Sequence, residues 1–370
     1  MPRITSDRLI RLFDEQGQSP WLDNLQRSYL TSGELAELVA GGVRGVTSNP
    51  SIFQKAIAGS DDYDEQFALE LKTKTVDEAY WELVLSDIQG ACDVLRPLWD
   101  ASGANDGHVS VEVSPKLAHD TAATIAAAKS LWARVDRPNV LIKIPATIEG
   151  LPAIHAATAA GISVNVTLIF SLDRHDAVIT AFQAGIADLI AGGGDPSNVR
   201  SVASFFVSRV DTEIDRRLDA DGSPAALAAR GKAAVAQIKL AFELSNERFA
   251  TDAWAASEAA GAVSQRPLWA STSTKNPAYP PLLYVDAIIG RHTVNTIPEA
   301  TLLAFADHGT VARTVDADLD DAKALWAQLP ALGIDVEDVA AQLESEGVAS
   351  FAKAFDELLQ TLSDKAASLF

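Results

Sequence analysis

A lysine interrupts an otherwise apolar stretch, NVLIKI at 139–144, whose composition is that of a buried β-strand. Because successive side chains of a strand point to opposite faces, Lys143 lies on the face opposite to Ile142 and Ile144. An ammonium group is costly to bury against apolar helices. We therefore expect Lys143 to point toward the inside of the fold, near the carboxyl end of its strand.

The chemistry open to a sheltered lysine is nucleophilic attack by its free amine. Removal from water disfavours the charged form of a lysine and so increases the fraction of free amine. This group suits imine formation with a ketone, in which the former carbonyl carbon accepts electrons from a neighbouring carbon–carbon bond. Such a reaction needs carboxyl groups that move protons. The candidates are Glu112 in HVSVEV (108–113) and Asp23 in SPWLDNL (19–25).

Further polar residues stand on the inner faces or near the ends of other strand-like runs. They are Ser110, Asn165, Thr167, Asn49 and Ser204. Taken singly, a strand serine or threonine is explained by a local hydrogen bond, and a strand lysine by an exposed sheet edge. Taken together, they favour a catalytic site, because an unpaired buried charge is expensive and this lysine has carboxylates and amides on converging strands.

Eight strand-like runs provide the framework for these residues. They lie near 19–25, 42–48, 108–113, 139–144, 161–167, 199–207, 266–272 and 291–297. Helix-forming segments separate them, such as 31–41, 118–134, 152–160 and 173–191. Eight repeats of strand and helix predict an α/β fold, a (β/α)8 TIM barrel with additional helices, whose active site forms at the carboxyl ends of the strands.

The chain of 370 residues exceeds a minimal barrel of ~250 residues, and the additional length is helical in character. It lies near 61–98, near 211–261 and in the tail that follows 297. No Ser-, Pro- or Gly-rich linker divides the chain. We therefore expect residues 1–370 to form a single barrel domain with helical insertions and a helical C-terminal tail.

The charge balance limits the partners of the protein. Fifty acidic and thirty basic residues give a formal net charge of -20, which opposes nonspecific attraction to nucleic acid or to an anionic membrane. An anionic substrate therefore needs positive groups concentrated in a pocket. The sequence shows no signal-peptide core and no run near the ~18 apolar residues of a membrane span, so we expect a soluble, cytoplasmic protein.

The sequence contains none of the common cofactor motifs. Its single cysteine, Cys92, cannot form an intramolecular disulfide, and no cysteine–histidine group has the spacing of zinc ligands. HExxH and GxGxxG are missing, and the glycines at 192–194 lack the Lys-Ser or Lys-Thr ending of a phosphate-binding loop. We therefore expect catalysis without a metal or an organic cofactor.

Six segments, in order along the chain, carry a family likeness. They are GVTSNPSIF (45–53), VSVEVSPKLAHDT (109–121), NVLIKIPATIEGLPAI (139–154), ISVNVTLIFSL (162–172), SFFVSRVD (204–211) and WASTSTKNPAYPPLLYV (269–285). Together they closely resemble transaldolase, in its longer bacterial type, which belongs among the class I Schiff-base aldolases. The resemblance implies transfer of a dihydroxyacetone unit from sedoheptulose 7-phosphate or fructose 6-phosphate to glyceraldehyde 3-phosphate or erythrose 4-phosphate, in the pentose phosphate pathway.

The resemblance also implies roles for individual residues. Lys143 matches the lysine that forms the Schiff base, Asp23 the acid and base of aldol cleavage, and Glu112 a carboxylate that works through a bound water. Thr167 matches a residue that helps to hold this water. The residues that match those holding the hydroxyl groups of the substrate are Asn49 and Asn165.

The phosphate site implied by the resemblance falls on Ser204, Arg209 and Lys275, which supply the local positive charge that an acidic chain needs. Lys275 stands where many relatives carry arginine. Phe206 occupies the position at which phenylalanine accompanies transfer and tyrosine accompanies simple aldolase activity. A phenyl ring cannot donate a proton to a carbon nucleophile, so Phe206 favours a transferase.

Two other functions are compatible with parts of this pattern. A class I lyase similar to fructose-6-phosphate aldolase releases free dihydroxyacetone at a rate that matches transfer. A noncatalytic barrel that only binds sugar phosphates gives no adduct when treated with borohydride. The presence of both Lys143 and Glu112 argues against the noncatalytic barrel.

Overall fold

Eight parallel strands close into a barrel in the order in which they occur along the chain. In the computed structural model, which describes residues 6–369, each strand pairs with the next and the last pairs with the first. The strands are β1 (Gln18–Leu22), β2 (Gly45–Thr47), β3 (His108–Glu112), β4 (Val140–Pro145), β5 (Val164–Ile169), β6 (Ser201–Phe206), β7 (Arg266–Ala270) and β8 (Thr293–Ile297). The (β/α)8 fold predicted from the sequence is confirmed.

Helices surround the barrel and form most of the additional length. The first nine are α1 (Arg8–Gln16), α2 (Arg27–Thr31), α3 (Glu34–Ala40), α4 (Pro50–Ala58), α5 (Asp64–Glu70), α6 (Val76–Ala101), α7 (Thr121–Val135), α8 (Gly150–Ala159) and α9 (Leu172–Ala191). The others are α10 (Ser208–Asp221), α11 (Pro224–Ala229), α12 (Ala233–Phe249), α13 (Asp252–Ala259), α14 (Leu283–Asp286), α15 (Glu299–His308), α16 (Leu319–Gln328) and α17 (Val336–Leu369). Short 3₁₀ turns lie at Pro115–Leu117 and Leu329–Leu332.

Some strands are shorter than the runs predicted from the sequence, most clearly at 42–48, where only Gly45–Thr47 is strand. Gly42 has φ +109°, and a Cβ at this position would lie 2.8 Å from the backbone nitrogen of Ile10. The chain therefore turns closely past α1 before β2 begins, a path that only glycine permits. The apolar pattern of the segment does not reveal this turn.

The two faces of the strands carry different side chains, in agreement with the parity argument. Val109 and Val111 of β3 and Ile142 of β4 are buried in the apolar core. One continuous core cluster extends from Leu9 of α1 to Leu362 of α17. On this ground we propose a single domain for the whole chain; residues 1–5 and 370 of the expected domain lie outside the described part.

Helix α17 runs across the carboxyl end of the barrel. It packs against α4, α6 and α10, against β5 and against the 3₁₀ turn that follows β3. Ion pairs join it to segments that follow three of the strands: Arg174–Glu344 at 2.6 Å, Lys116–Asp356 at 2.7 Å and Arg217–Asp338 at 2.7 Å. Helix α17 therefore covers the end of the barrel at which the polar residues lie.

Strained backbone occurs at the same end of the barrel. Leu168 adopts φ +61°, and the register of β5 against β6 shifts between Val166 and Ile169. The resulting bulge turns the Leu168 side chain toward α17, where a Cβ on Gly347 would lie 2.9 Å from Leu168 Cδ2. The helix can approach the strand this closely because residue 347 has no side chain.

At the opposite end of the barrel, one buried carboxylate connects three segments of the chain. Asp106, in the loop before β3, lies 2.7 Å from Arg44 Nε and 3.2 Å from Arg266 Nη2. It also accepts a hydrogen bond of 2.9 Å from Ser19 Oγ. Although burial by itself raises the pKa of Asp106, Arg266 and Arg44 outweigh it and hold this pKa below its usual value. The carboxylate thus connects β1, the segment before β2, and β7.

The only cysteine lies inside the protein. Cys92 is in the middle of α6, with its side chain wholly buried in the main core. Burial raises the pKa of its thiol. Across residues 6–369, no helix combines the length and the apolar character needed to cross a membrane.

Candidate active site

A cavity of about 170 Å³ opens at the carboxyl ends of the strands, beneath α17. Of the ten residues expected from the sequence to act in catalysis or substrate binding, eight line it: Asp23, Asn49, Lys143, Thr167, Ser204, Phe206, Arg209 and Lys275. The other two, Glu112 and Asn165, lie beside Lys143, since strand register places them opposite it on β3 and on β5. The barrel therefore gathers all ten residues at one end.

Lys143 projects from β4 into this cavity and is almost wholly buried. Its Nζ lies 3.0 Å from Glu112 Oε2 and donates a hydrogen bond of 3.3 Å to the carbonyl oxygen of Ser48. The ring centroid of Phe351, from α17, is 5.7 Å from the same nitrogen. The amine is thus held at the cavity wall by one carboxylate and one carbonyl, with an aromatic face nearby.

Two carboxyl groups close to the lysine have raised pKa values. Burial raises the pKa of Glu112, and the positive charge of Lys143 opposes this rise without cancelling it. Burial also raises the pKa of Asp23, against the opposing effects of Lys143 and of a 2.7 Å hydrogen bond donated by Thr47 Oγ1. Both groups can therefore hold a proton at a pH where an exposed carboxyl is ionised, as a general acid must.

The floor of the cavity is a hydrogen-bonded row of polar side chains. Asn165 donates through Nδ2 to Ser110 Oγ at 2.9 Å, and Ser204 Oγ donates to Asn165 Oδ1 at 2.7 Å. Asn165 is fully buried in this row and does not line the cavity itself. Thr167 Oγ1 is buried and has no hydrogen-bond partner within the described structure. This hydroxyl is therefore available to a small ligand or a water molecule in the cavity.

Asn49 combines a local structural role with a position on the cavity wall. Its Oδ1 accepts a 3.0 Å hydrogen bond from the backbone nitrogen of Ile52, which caps α4. Pro50 follows at the first position of the helix, where a missing N–H costs nothing. Because Oδ1 is occupied by the cap, Nδ2 is the group that Asn49 can offer to a hydroxyl oxygen.

One side of the cavity is cationic. Arg209, in the first turn of α10, lies with its guanidinium carbon 5.3 Å from the centroid of the Phe206 ring. Lys275 Nζ donates a 2.7 Å hydrogen bond to Ser273 Oγ. Burial lowers the pKa of both groups, and the charge of Arg209 lowers that of Lys275 further, which shows that the two cations lie close together. The positive end of α10 adds to this field, so the site can bind an anion.

Phe206 lines the cavity beside its cationic side. Its ring packs against Phe170, with centroids 5.0 Å apart, and Arg209 lies over it. The ring offers no hydrogen-bonding group to the cavity. It therefore supplies an apolar surface to the cavity wall.

Several residues of the site were not singled out in the sequence, among them Thr47, Ser48 and Phe351. Thr47 and Ser48 contact Asp23 and Lys143, and both lie in the GVTSNPSIF segment, where their position at the end of β2 is a signal that could have found them. Phe351 has no such signal, because it is one of several apolar residues in a long helix. Only the path of α17 across the barrel brings it to the cavity.

Metal-ligating side chains are not clustered here or elsewhere in the described structure: residues 6–369 contain no group of three or more His, Cys, Asp or Glu side chains that could hold a metal ion. The polar groups of the cavity are a lysine, two carboxyls, hydroxyls, amides and two cations. This set can form and break an imine, move protons and hold an anionic group.

Comparison with known proteins agrees with this geometry. The chain matches the model of the family described as Transaldolase/Fructose-6-phosphate aldolase over residues 20–362. It is 54% identical to a transaldolase of Frankia alni over 353 residues, which cover 94% of this chain and 95% of that protein. It is 53% identical to transaldolase 1 of Streptomyces avermitilis over 362 residues, 97% and 96% of the two chains. The identity to a transaldolase of Thermobifida fusca is 49% over 362 residues, 97% and 98% of the two chains. The chain therefore belongs to the transaldolase/fructose-6-phosphate aldolase family.

Proposed function

We propose that the protein is a transaldolase that carries a dihydroxyacetone unit from a ketose phosphate to an aldose phosphate, bound as an imine on Lys143. The observation that carries the proposal is the position of Lys143 Nζ, 3.0 Å from Glu112 Oε2 in a buried site that opens into the cavity. The curated relatives, named as transaldolases, support the same activity.

Formation of the imine needs one amine and a proton shuttle. The free amine of Lys143 attacks C2 of the ketose, the nitrogen releases one of its protons and the carbonyl oxygen takes up a proton, which gives a carbinolamine. The hydroxyl then takes a second proton and leaves as water, and the nitrogen shares its electron pair with C2 to form the iminium. Glu112, with its raised pKa, is the acid placed closest to this nitrogen.

Cleavage of the carbon chain uses the iminium as an electron sink. Asp23 accepts the proton of the C4 hydroxyl, the C3–C4 bond breaks, and its electrons form an enamine on C3 while the aldose departs as an aldehyde. When an acceptor aldehyde binds, the enamine attacks it, a new carbon–carbon bond forms, and Asp23 returns its proton to the new alkoxide. Water then attacks the iminium and releases the product ketose and the amine.

Selection of phosphorylated sugars follows from the cationic side of the cavity. We place the phosphate at Ser204, Arg209 and Lys275, where two cations and a hydroxyl converge. Sugar phosphates of the pentose phosphate pathway, such as fructose 6-phosphate and erythrose 4-phosphate, carry the anionic group that this side of the cavity would bind. A cytoplasmic location, predicted from the sequence, is part of the same proposal.

The neighbouring activity within the family is that of a lyase. It needs a proton delivered to C3 of the enamine, so that free dihydroxyacetone is released. Phe206 supports transfer instead, because its ring cannot donate a proton or hold a water molecule at this place.

One experiment tests the proposal. The purified protein is incubated with fructose 6-phosphate, reduced with borohydride, digested and analysed by tandem mass spectrometry, while a second sample receives erythrose 4-phosphate in a coupled transfer assay. We expect a three-carbon adduct on Lys143 and formation of sedoheptulose 7-phosphate. An adduct on another lysine, or no adduct in a folded protein, contradicts the proposal, and release of free dihydroxyacetone at the rate of transfer favours the lyase.

A further inference from the structure

Helix α17 brings an aromatic side chain to the reactive lysine. Phe351 is 5% exposed, lines the cavity and lies with its ring centroid 5.7 Å from Lys143 Nζ. This distance falls within the range in which an aromatic ring attracts a cation through its electron-rich face. None of the segments that carry the family likeness includes this residue.

The ring is held in place by the way in which α17 packs. Gly347 and Phe355 lie four residues before and after Phe351, so the three share one face of the helix. Gly347 lies against Leu168, and Phe355 packs edge-on against Tyr80 with centroids 5.4 Å apart. The close approach of Gly347 to Leu168 therefore fixes the height of Phe351 above the barrel.

We infer that Phe351 is a specificity-determining residue that directs the enamine to an acceptor aldehyde and away from a proton. Its ring covers the nitrogen on which the proposed imine forms, favours the positively charged iminium and keeps water from the adjacent carbons. This inference rests on the imine at Lys143 stated under the proposed function. Phe206 also lines the cavity, so the bound three-carbon unit has apolar side chains beside it from two elements, β6 and α17.

The two fates of the enamine differ in one step. In transfer, C3 attacks the aldehyde carbon, the carbon–carbon bond forms, and the aldehyde oxygen takes up a proton. In release, C3 takes a proton from water or an acid, and a water molecule then adds to C2 and expels the lysine amine with free dihydroxyacetone. Addition of water at C2 ends both routes, so protonation at C3 is the step that distinguishes them, and a ring that keeps water from C3 favours transfer.

The test compares variants on the same face of α17. Phe351→Leu keeps an apolar side chain without a π face, and Phe351→Ala opens space for water. Phe355→Leu is the matched control, because it removes a buried phenyl ring from the same helix at a place outside the cavity. Each protein is assayed with fructose 6-phosphate, with and without erythrose 4-phosphate, and the ratio of free dihydroxyacetone to transfer product is measured beside the yield of the borohydride-trapped adduct.

We expect this ratio to rise about tenfold in Phe351→Ala and severalfold in Phe351→Leu, with the wild-type ratio kept in Phe355→Leu. An unchanged ratio in Phe351→Leu, in a protein that still forms the adduct on Lys143, overturns the inference and leaves the proposed function standing. An equal rise in Phe355→Leu also overturns it, since loosening of the helix then explains the effect. If the wild-type protein forms no adduct, the proposed function is wrong, and the inference that rests on it is wrong as well.

Discussion

At the scale of single residues, the ion pair of Lys143 and Glu112 is an expensive feature for a protein to build. Both side chains are almost wholly removed from water, and the attraction between buried charges often fails to repay their desolvation. Packing alone would be served as well by two apolar residues of similar size. The pair is therefore explained by chemistry, since an amine beside a proton carrier is what imine formation needs.

Replacement of Lys143 by alanine is expected to lower the rate of transfer by about 10⁴-fold or more while the protein stays folded. Glu112 is left without its partner, but its raised pKa allows it to take up a proton and avoid an unpaired charge. A coupled transfer assay and thermal unfolding followed by circular dichroism check both statements. Lys353→Ala, an exposed position on α17, is the control. Loss of secondary structure in Lys143→Ala would indicate a structural lysine.

Arg209→Ala is expected to raise the KM for fructose 6-phosphate by about 10- to 100-fold, because charge-assisted hydrogen bonds to a phosphate are each worth about 1.5–3 kcal/mol. Turnover of unphosphorylated fructose should change little, since this sugar has no phosphate for the arginine to bind. Steady-state kinetics with both sugars provide the measurement. Arg216→Ala, on the same helix with a 64% exposed side chain, serves as the matched control. An unchanged KM in Arg209→Ala removes this residue from the phosphate site.

The alternation of side chains predicts which face of a strand each residue occupies, and it is sufficient to predict the inner face for Lys143, Glu112 and Thr167. It does not predict register, which depends on contacts between strands. The depth of Asn165 and its bonds to Ser110 and Ser204 were therefore outside the reach of the sequence. Its expected contact with a substrate hydroxyl stays a prediction.

At the scale of elements, α17 has two kinds of contact with the barrel, and they differ in strength. Its buried face includes Phe351, Phe355, Leu358 and Leu362. Of its ion pairs, Lys116–Asp356 is exposed on both sides, and exposed pairs contribute about 0–1 kcal/mol each. The apolar face therefore holds the helix on the barrel, and the charged pairs orient it.

This difference can be measured by urea unfolding. Leu358→Ala, at a fully buried position, is expected to lower the free energy of unfolding by about 2–4 kcal/mol. Lys116→Ala, which removes the exposed pair with Asp356, should lower it by less than about 1 kcal/mol. Equal losses in the two variants would mean that the ion pairs carry the docking of α17.

Helix α10 contains a carboxyl group whose ionisation opposes folding. Burial raises the pKa of Asp211 to about 7, against the lowering effect of a 2.7 Å hydrogen bond from the backbone nitrogen of Ala234. In the unfolded chain this pKa is ~3.9. Between these two pKa values the carboxyl is ionised in the unfolded chain and protonated in the folded protein. The stability that Asp211 contributes is fully present below pH ~4 and is lost as the pH rises to about 7.

Asp211→Asn keeps the acceptor for Ala234 and removes the titration. We expect the stability of this variant relative to the wild type to increase by about 2 kcal/mol between pH 5 and pH 8. Urea unfolding at the two pH values gives the difference. Asp221→Asn, at an exposed position near the end of the same helix, should show no such change. If the stability difference between Asp211→Asn and the wild type is the same at both pH values, the carboxyl of Asp211 has the same pKa in the folded and unfolded states, which contradicts this prediction.

Helical composition predicts that the tail after 297 is helical, but it does not predict where a helix of that length runs. The path of α17 depends on the fit of Gly347 over Leu168, and the direction of the Leu168 side chain depends in turn on the bulge in β5. Such a fit between distant segments has no local signature. For this reason the sequence predicts the barrel and most of the site, and misses Phe351, which α17 contributes to the cavity.

At the scale of the whole molecule, the two ends of the barrel serve different purposes. The carboxyl end carries strained backbone, a cavity and buried groups with raised pKa values. The amino end carries Asp106, whose charge is matched by Arg44 and Arg266. One end is arranged for reaction and the other for closure of the sheet, as is common in barrels of this type.

Asp106→Ala is expected to lower the free energy of unfolding at neutral pH by about 3–5 kcal/mol, because two arginines that are largely removed from water lose their partner. The rate of transfer per folded molecule should stay unchanged. Because the pKa of Asp106 is lowered by folding, the wild-type advantage exists above the unfolded value and disappears as the pH falls through the folded one. Asp100→Ala, with a largely exposed side chain, is the control. A change in kcat with unchanged stability would contradict this division between the ends.

The burial of Cys92 has a practical consequence. With its sulfur enclosed in the core and its thiolate disfavoured, the folded protein offers maleimide or iodoacetamide reagents no natural target. A single cysteine introduced at an exposed position of α17, such as 353, would therefore accept a fluorophore or a spin label without any background to remove. A label at this position reports on the movement of α17 during turnover.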